Sequence, residues 1–183
     1  MPDQHRPGIH PRPSLGRRLD MAARRSFPAC TSALLLLLAS APLGLPGQPE
    51  LQTASGLGCV FFWSLFRPAS MPPPVVLVLG LLSDLLSYAP PGVGVLTMLA
   101  VHGLALRWRR GIVPLGFVPV WLCFAGLGFM AAAMQWALTS LLTFHLLPIG
   151  SVLFQSALGA GLYPLLAVLL TMAHQSLADP ANA

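Results

Sequence analysis

The chain has 183 residues, of which 55% are hydrophobic and only 8% charged, with a mean hydropathy of +0.74. Soluble domains carry roughly 25% charged residues, so an integral membrane protein is expected, with no length left for a large soluble domain. The formal charge of +5 does not mark a nucleic-acid surface: all ten cations are Arg, and six of them fall in the first 25 residues, so the partner expected for that basic tail is the anionic inner leaflet.

Residues 1–26 are polar and rich in Arg and Pro, and they are expected to be a disordered cytoplasmic tail. The Arg24-Arg25 pair then meets a leucine run ending in Ala39-Ser40-Ala41. A secretory signal has the same plan. Pro42 in the first mature position suits cleavage poorly, so an uncleaved first helix over about 27–46 is expected. Met21 offers an alternative start. A second apolar segment, 51–66, is short for a span of about 20 residues and stops at Arg67-Pro68. Pro72, Pro73 and Pro74 open a third helix, since proline is tolerated where helix N–H groups are unpaired. That helix is expected to run to about Tyr88, with a turn at Pro90-Pro91-Gly92. A fourth, 93–106, stops at the Arg107, Arg109 and Arg110 cluster. A fifth covers about 113–138. The sixth covers about 147–172, with Pro164 as a kink point, and residues 175–183 form a short tail. The expected fold is therefore all-α, a compact bundle of about six transmembrane helices over residues 27–174.

With the N-terminus in the cytoplasm, all ten Arg fall in inside loops or tails, as the positive-inside rule requires. Arg107, Arg109 and Arg110 act here as topology determinants. A five-helix count moves only the C-terminus across and displaces no Arg.

Chemistry-bearing residues are few. The three cysteines, Cys30, Cys59 and Cys123, form no C-x-x-C pair and read as buried free thiols. No Gly-x-Ser-x-Gly or His-Glu-x-x-His is present, and Glu50 is the sole Glu. Neither a catalytic nor a metal site is expected, and no cofactor. The exception is Asp84, the one charged residue between Pro72 and Val101. An acid inside a membrane segment costs about 2.5–3.5 kcal/mol on insertion scales, so it faces protein or a wet cavity. Gly80, Asp84 and Ser87 share one helical face. Across a tight hairpin Asp84 should stand opposite Thr97 or Met98, with His102 about 6 Å deeper at 1.5 Å per residue. A polar contact to Thr97, Ser83, Ser87 or a backbone group is favoured over direct pairing with His102. Glycine pairs at 56/58, 92/94, 126/128 and 159/161 read as sites of close helix approach. Trp63, Trp108, Trp121 and Trp136 suit packing or interfacial roles.

Three stretches taken together resemble one family: Phe61 through Arg67-Pro68, the Gly80-x-x-x-Asp84-x-x-Ser87 run, and the turn with Gly92 and Gly94. With Pro49 opening the second helix, their order and spacing are similar to those of the rod shape-determining MreD proteins. The resemblance covers about residues 27–110 by motif. It implies a non-enzymatic, multi-pass scaffold in the bacterial inner membrane that serves cell elongation and peptidoglycan synthesis. Implied partners are an MreC-like scaffold, an MreB-like actin filament, a RodA-like glycosyltransferase and a class B penicillin-binding protein. The implied fold is similar to the substrate-binding membrane subunit of energy-coupling-factor vitamin transporters. Carried over by residue, it falls on Gly80, Asp84, Ser87, Gly92, Gly94, Arg67 and Pro68 as packing and partner residues. The long N-terminal tail and the triple proline depart from the family pattern. The alternative function is a vitamin-type transporter subunit. Against it, the polar groups expected near mid-membrane are few: Asp84, Thr97, His102, Gln135 and Gln155.

Overall fold

The structure, a computed structural model, describes residues 15–42, 44, 46–87 and 89–178, with side chains from residue 24 to residue 175. The expectations for residues 1–14, Tyr88 and 179–183 lie outside the described residues. Six α-helices follow in order: α1 Leu15–Ser40, α2 Gln48–Phe66, α3 Pro73–Leu86, α4 Val93–Ile112, α5 Phe117–Thr143 and α6 Gly150–Ala178. Short 3-10 turns at Pro68–Ser70 and Val113–Leu115 lead into α3 and α5. No strand occurs among the described residues.

The all-helical class and the count of six agree with the sequence, but several boundaries move. α1 begins at Leu15, inside the segment expected to be disordered, and ends at Ser40. Between Pro13 and Pro28 no proline interrupts a run of Leu, Arg, Met and Ala, which are good helix formers. Pro28 therefore sits inside the helix. Nearby hydroxyls bond back to the backbone: Ser32 Oγ donates to the Pro28 carbonyl at 2.7 Å and Thr31 Oγ1 to that of Phe27 at 2.9 Å. α4 runs past residue 106 to Ile112 and carries Arg109 and Arg110 in its last turn. Cations there complement the negative end of the helix dipole.

The bundle is built around α2. Every residue from Ala54 to Leu65 is buried, so α2 is apolar all round instead of amphipathic, as a central helix must be. It packs on α1, α4 and α6. Two glycines allow that approach: a Cβ on Gly56 would stand 2.8 Å from both Leu36 and Met98, and one on Gly58 2.9 Å from Leu166. Gly126, Gly128 and Gly161 face open space, and Gly159 has only ordinary contacts. The expected tight approach is thus confined to α2 and the α3–α4 hairpin. An aromatic cluster fills the centre. Phe124 stacks on Tyr163 at 4.3 Å, and Phe61 is tilted against Phe124 and meets Tyr163 edge-on, with centroids at 5.2 and 5.6 Å. Such pairs stabilise beyond their buried area, by about 0.5–1.5 kcal/mol each.

Successive helices run antiparallel, which sorts the termini into two ends. Arg67 and the Arg107–Arg110 cluster lie at the C-termini of α2 and α4. Phe27, just after Arg24 and Arg25, touches Trp63 in the last turn of α2, and Trp63 also meets His174 near the end of α6. These groups share one end, the arginine end. The start of α2, the α3–α4 turn and the α5–α6 loop form the other. α5 and α6 are each long and apolar enough to cross a membrane. Their outward residues include exposed Leu122, Phe129, Leu153 and Leu165.

Candidate functional site

The α3–α4 hairpin is fastened by one side chain. Asp84 is buried near the C-terminus of α3. The first N–H groups of α4 have no partner within their own helix, and Asp84 supplies it. Its Oδ1 accepts from Gly94 N–H at 2.7 Å, and its Oδ2 from Gly92 and Val95 N–H at 2.8 and 3.3 Å. Asp84 therefore caps α4 across the turn, from another helix. Of the partners expected from the sequence, the backbone is the one used.

The rest of the motif serves the same junction. Ser87 ends α3, and both its N–H and its hydroxyl donate to the Asp84 carbonyl, each at 3.3 Å. Gly92 has φ 98°, a left-handed conformation that glycine adopts without penalty. Gly94 has no room for a Cβ, which would touch Asp84 Oδ1, and a Cβ on Gly80 would fall 2.6 Å from the Val95 Cα. Thus Gly80, Asp84, Ser87, Gly92 and Gly94, read as one face and one turn, come together as a unit. Arg67 and Pro68 do not join it. They lie at the arginine end, where Arg67 N–H closes α2 on the Trp63 carbonyl at 2.8 Å.

His102 is buried but bonds elsewhere. Its Nδ1 lies 2.7 Å from Ser64 Oγ on α2. Ser64 gives its only proton to the Val60 carbonyl, so the imidazole must be the donor. This fixes the Nδ1–H tautomer and leaves Nε2 as a bare acceptor, buried and without a partner among the described residues. Trp63 is fully buried. Trp121 and Trp136 are half-buried and tie α5 to α6 and its leading loop, through bonds to the Ala160 and Leu147 carbonyls at 2.8 and 2.9 Å. Of the three cysteines, Cys59 alone is buried; Cys123 is half-buried and Cys30 exposed.

A cavity of about 290 Å³ opens beside the Asp84 junction, at the end opposite the arginines. The start of α2 contributes Glu50 and Thr53; α3 contributes Ser83 and Ser87 beside Asp84. Gln135, Trp136 and Thr139 come from the end of α5, and Ser151 and Gln155 from the start of α6. Gln155 Nε2 donates to Gln135 Oε1 at 2.7 Å. Of the mid-membrane polar groups expected from the sequence, Asp84, Gln135 and Gln155 line it and Thr97 and His102 do not, while Thr53, Thr139 and Ser151 were not expected there. The available signal was positional: polar residues occupy the terminal turns of α2, α3, α5 and α6, and antiparallel order brings those turns to one level.

Fold and site together define a six-helix bundle with a carboxylate-fastened hairpin and a polar cavity at one end. No family model matches the chain, and neither a curated protein nor a solved structure does.

Proposed function

We propose that the chain is a multi-pass protein of the bacterial inner membrane that acts as a non-enzymatic scaffold of the MreD type in the cell-elongation machinery. The membrane placement is supported by the two long apolar helices, by the apolar outward faces of α5 and α6, and by the gathering of arginines at one end of the bundle. The observation that carries the functional reading is the Asp84 junction. Five of the residues on which the MreD resemblance rests, Gly80, Asp84, Ser87, Gly92 and Gly94, are joined into one architectural unit, with both Asp84 oxygens engaged by backbone N–H groups. An acid so engaged shapes a helical hairpin and offers nothing to a reacting substrate. The hairpin surface beside it is the contact region for an MreC-like partner.

A second reading, a small-molecule carrier, is favoured by the polar cavity, which is richer than the sequence suggested. Co-purification from detergent-solubilised cells separates the two. The scaffold brings down an MreC-like protein in wild-type form and loses it in Gly80→Leu, while the variant still inserts. A carrier retains its fold and loses uptake of a small nutrient, with no such partner in the eluate.

A further inference from the structure

The cavity beside Asp84 has a definite chemical character. Its lining contains two carboxylates and neither Arg nor His. One carboxylate, Asp84, is spent on the α4 backbone. The other, Glu50, has no hydrogen-bond or ion-pair partner among the described residues. Three of the hydroxyls around it have also committed their protons: Thr53 donates to the Pro49 carbonyl at 3.0 Å, Ser151 to Pro148 at 2.9 Å, and Ser87 to Asp84. Each of these three hydroxyl oxygens retains lone pairs and no proton to give. Trp136 has likewise committed its N–H to Leu147, so it offers the cavity only its ring, whose face attracts cations. The lining is therefore rich in acceptors and negative, and the donors it keeps, on Ser83, Thr139 and the Gln135 and Gln155 amides, are neutral. It repels phosphates and carboxylates, and it suits a ligand that brings the donors itself.

We infer that this cavity is a binding site for a small hydroxylated organic cation, whose ammonium pairs with Glu50 and whose hydroxyls donate to Thr53, Ser87 and Ser151. The volume lies at the lower edge of the roughly 300–1,000 Å³ typical of small-molecule sites, which limits the occupant to a single sugar-sized amine. A metal ion fits less well: no group of three or more His, Cys, Asp or Glu side chains gathers among the described residues. The inference rests on the cavity and holds for a scaffold or a carrier alike.

The full chain purified in detergent tests it by thermal unfolding. Glucosamine, in its ammonium form, is compared with glucose, which replaces the ammonium by a hydroxyl. At tenfold excess over Kd a ligand stabilises by RT ln 11, read as a rise of about 3–6 °C for a domain of this size. Glucosamine should give that rise, glucose should not, and Glu50→Gln should abolish it. A Glu50-dependent rise with glucosamine and not with glucose supports the inference. An equal response to glucose, a response retained in folded Glu50→Gln, or no response to glucosamine overturns it. The glucose comparison uses wild-type protein, so it decides even if the variant does not fold. Loss of cell shape or of an MreC-like partner is read separately and moves independently of these shifts.

Discussion

Asp84 and Gly94 are ten residues apart, and the Gly94 N–H donates to Asp84 Oδ1 at 2.7 Å, in contact so close that a Cβ on Gly94 would touch that oxygen. The acid needs the glycine, because only a bare backbone can approach it. The glycine needs the acid, because the first N–H groups of α4 are otherwise unpaired.

Substitutions of Asp84 should be graded. Asparagine keeps one acceptor oxygen but turns an NH2 toward N–H donors, so it loses about half of the junction. Hydrogen bonds to charged groups contribute about 1.5–3 kcal/mol each, and Asp84→Asn is expected to cost about 1–3 kcal/mol. Asp84→Leu leaves all three N–H groups unpaired and should cost more. Thermal unfolding in detergent measures both. Equal, wild-type-like stability of the two variants would remove the junction from the account.

Gly80 and Gly103 offer an internal comparison. A Cβ on Gly80 meets the backbone of Val95, whereas one on Gly103 meets nothing within 4 Å. Gly80→Ala should therefore destabilise by about 1–3 kcal/mol, the usual cost of overpacking. Gly103→Ala should be neutral, or stabilise by up to about 1 kcal/mol through helix propensity. Unfolding midpoints of the two variants check the contrast, and a penalty at Gly103 equal to that at Gly80 would contradict it.

Ser64 and His102 should be energetically coupled. Ser64→Ala strands the Nδ1–H of a buried imidazole, at about 1–3 kcal/mol. Once His102 is replaced by Leu the serine has less to lose. The double variant should then be more stable than the sum of the singles by about 0.5–3 kcal/mol. A double-mutant cycle that closes with strict additivity would deny the bond.

The sequence made the class and the hairpin readable but not the centre of the bundle. The Pro72-Pro73-Pro74 triplet, the Arg67-Pro68 stop and the Pro90-Pro91-Gly92 turn mark the helix boundaries around them, because each carries a local backbone constraint. Asp84 was recognisable because it is a lone acid in an apolar run, though only the structure shows that it caps α4 from α3. That α2 is the central helix was not legible, since an all-round apolar helix has no periodicity to read. The His102–Ser64 bond joins helices 38 residues apart in sequence, and no local pattern encodes such a pair. α1 begins earlier than the charge of its first residues suggests, because the helix formers between Pro13 and Pro28 favour the helix whatever their charge.

The proposed membrane placement puts the arginine end of the bundle in the cytoplasm. In a cysteine-free background, single cysteines at Gln48, Ala89 and Phe144 should react with a membrane-impermeant reagent from outside. Those at Ala69 and Gly111 should be protected until the membrane is opened. External labelling at Gly111 would invert the arrangement.

Depletion of the protein in growing cells tests the scaffold reading most directly. The account predicts that depleted cells lose their rod shape and round up. Plasmid-borne wild type should restore both the rods and co-purification of an MreC-like partner, and Gly80→Leu, present at normal levels in the membrane, should restore neither. Normal rods that instead require a vitamin supplement to grow would contradict the scaffold and establish the carrier.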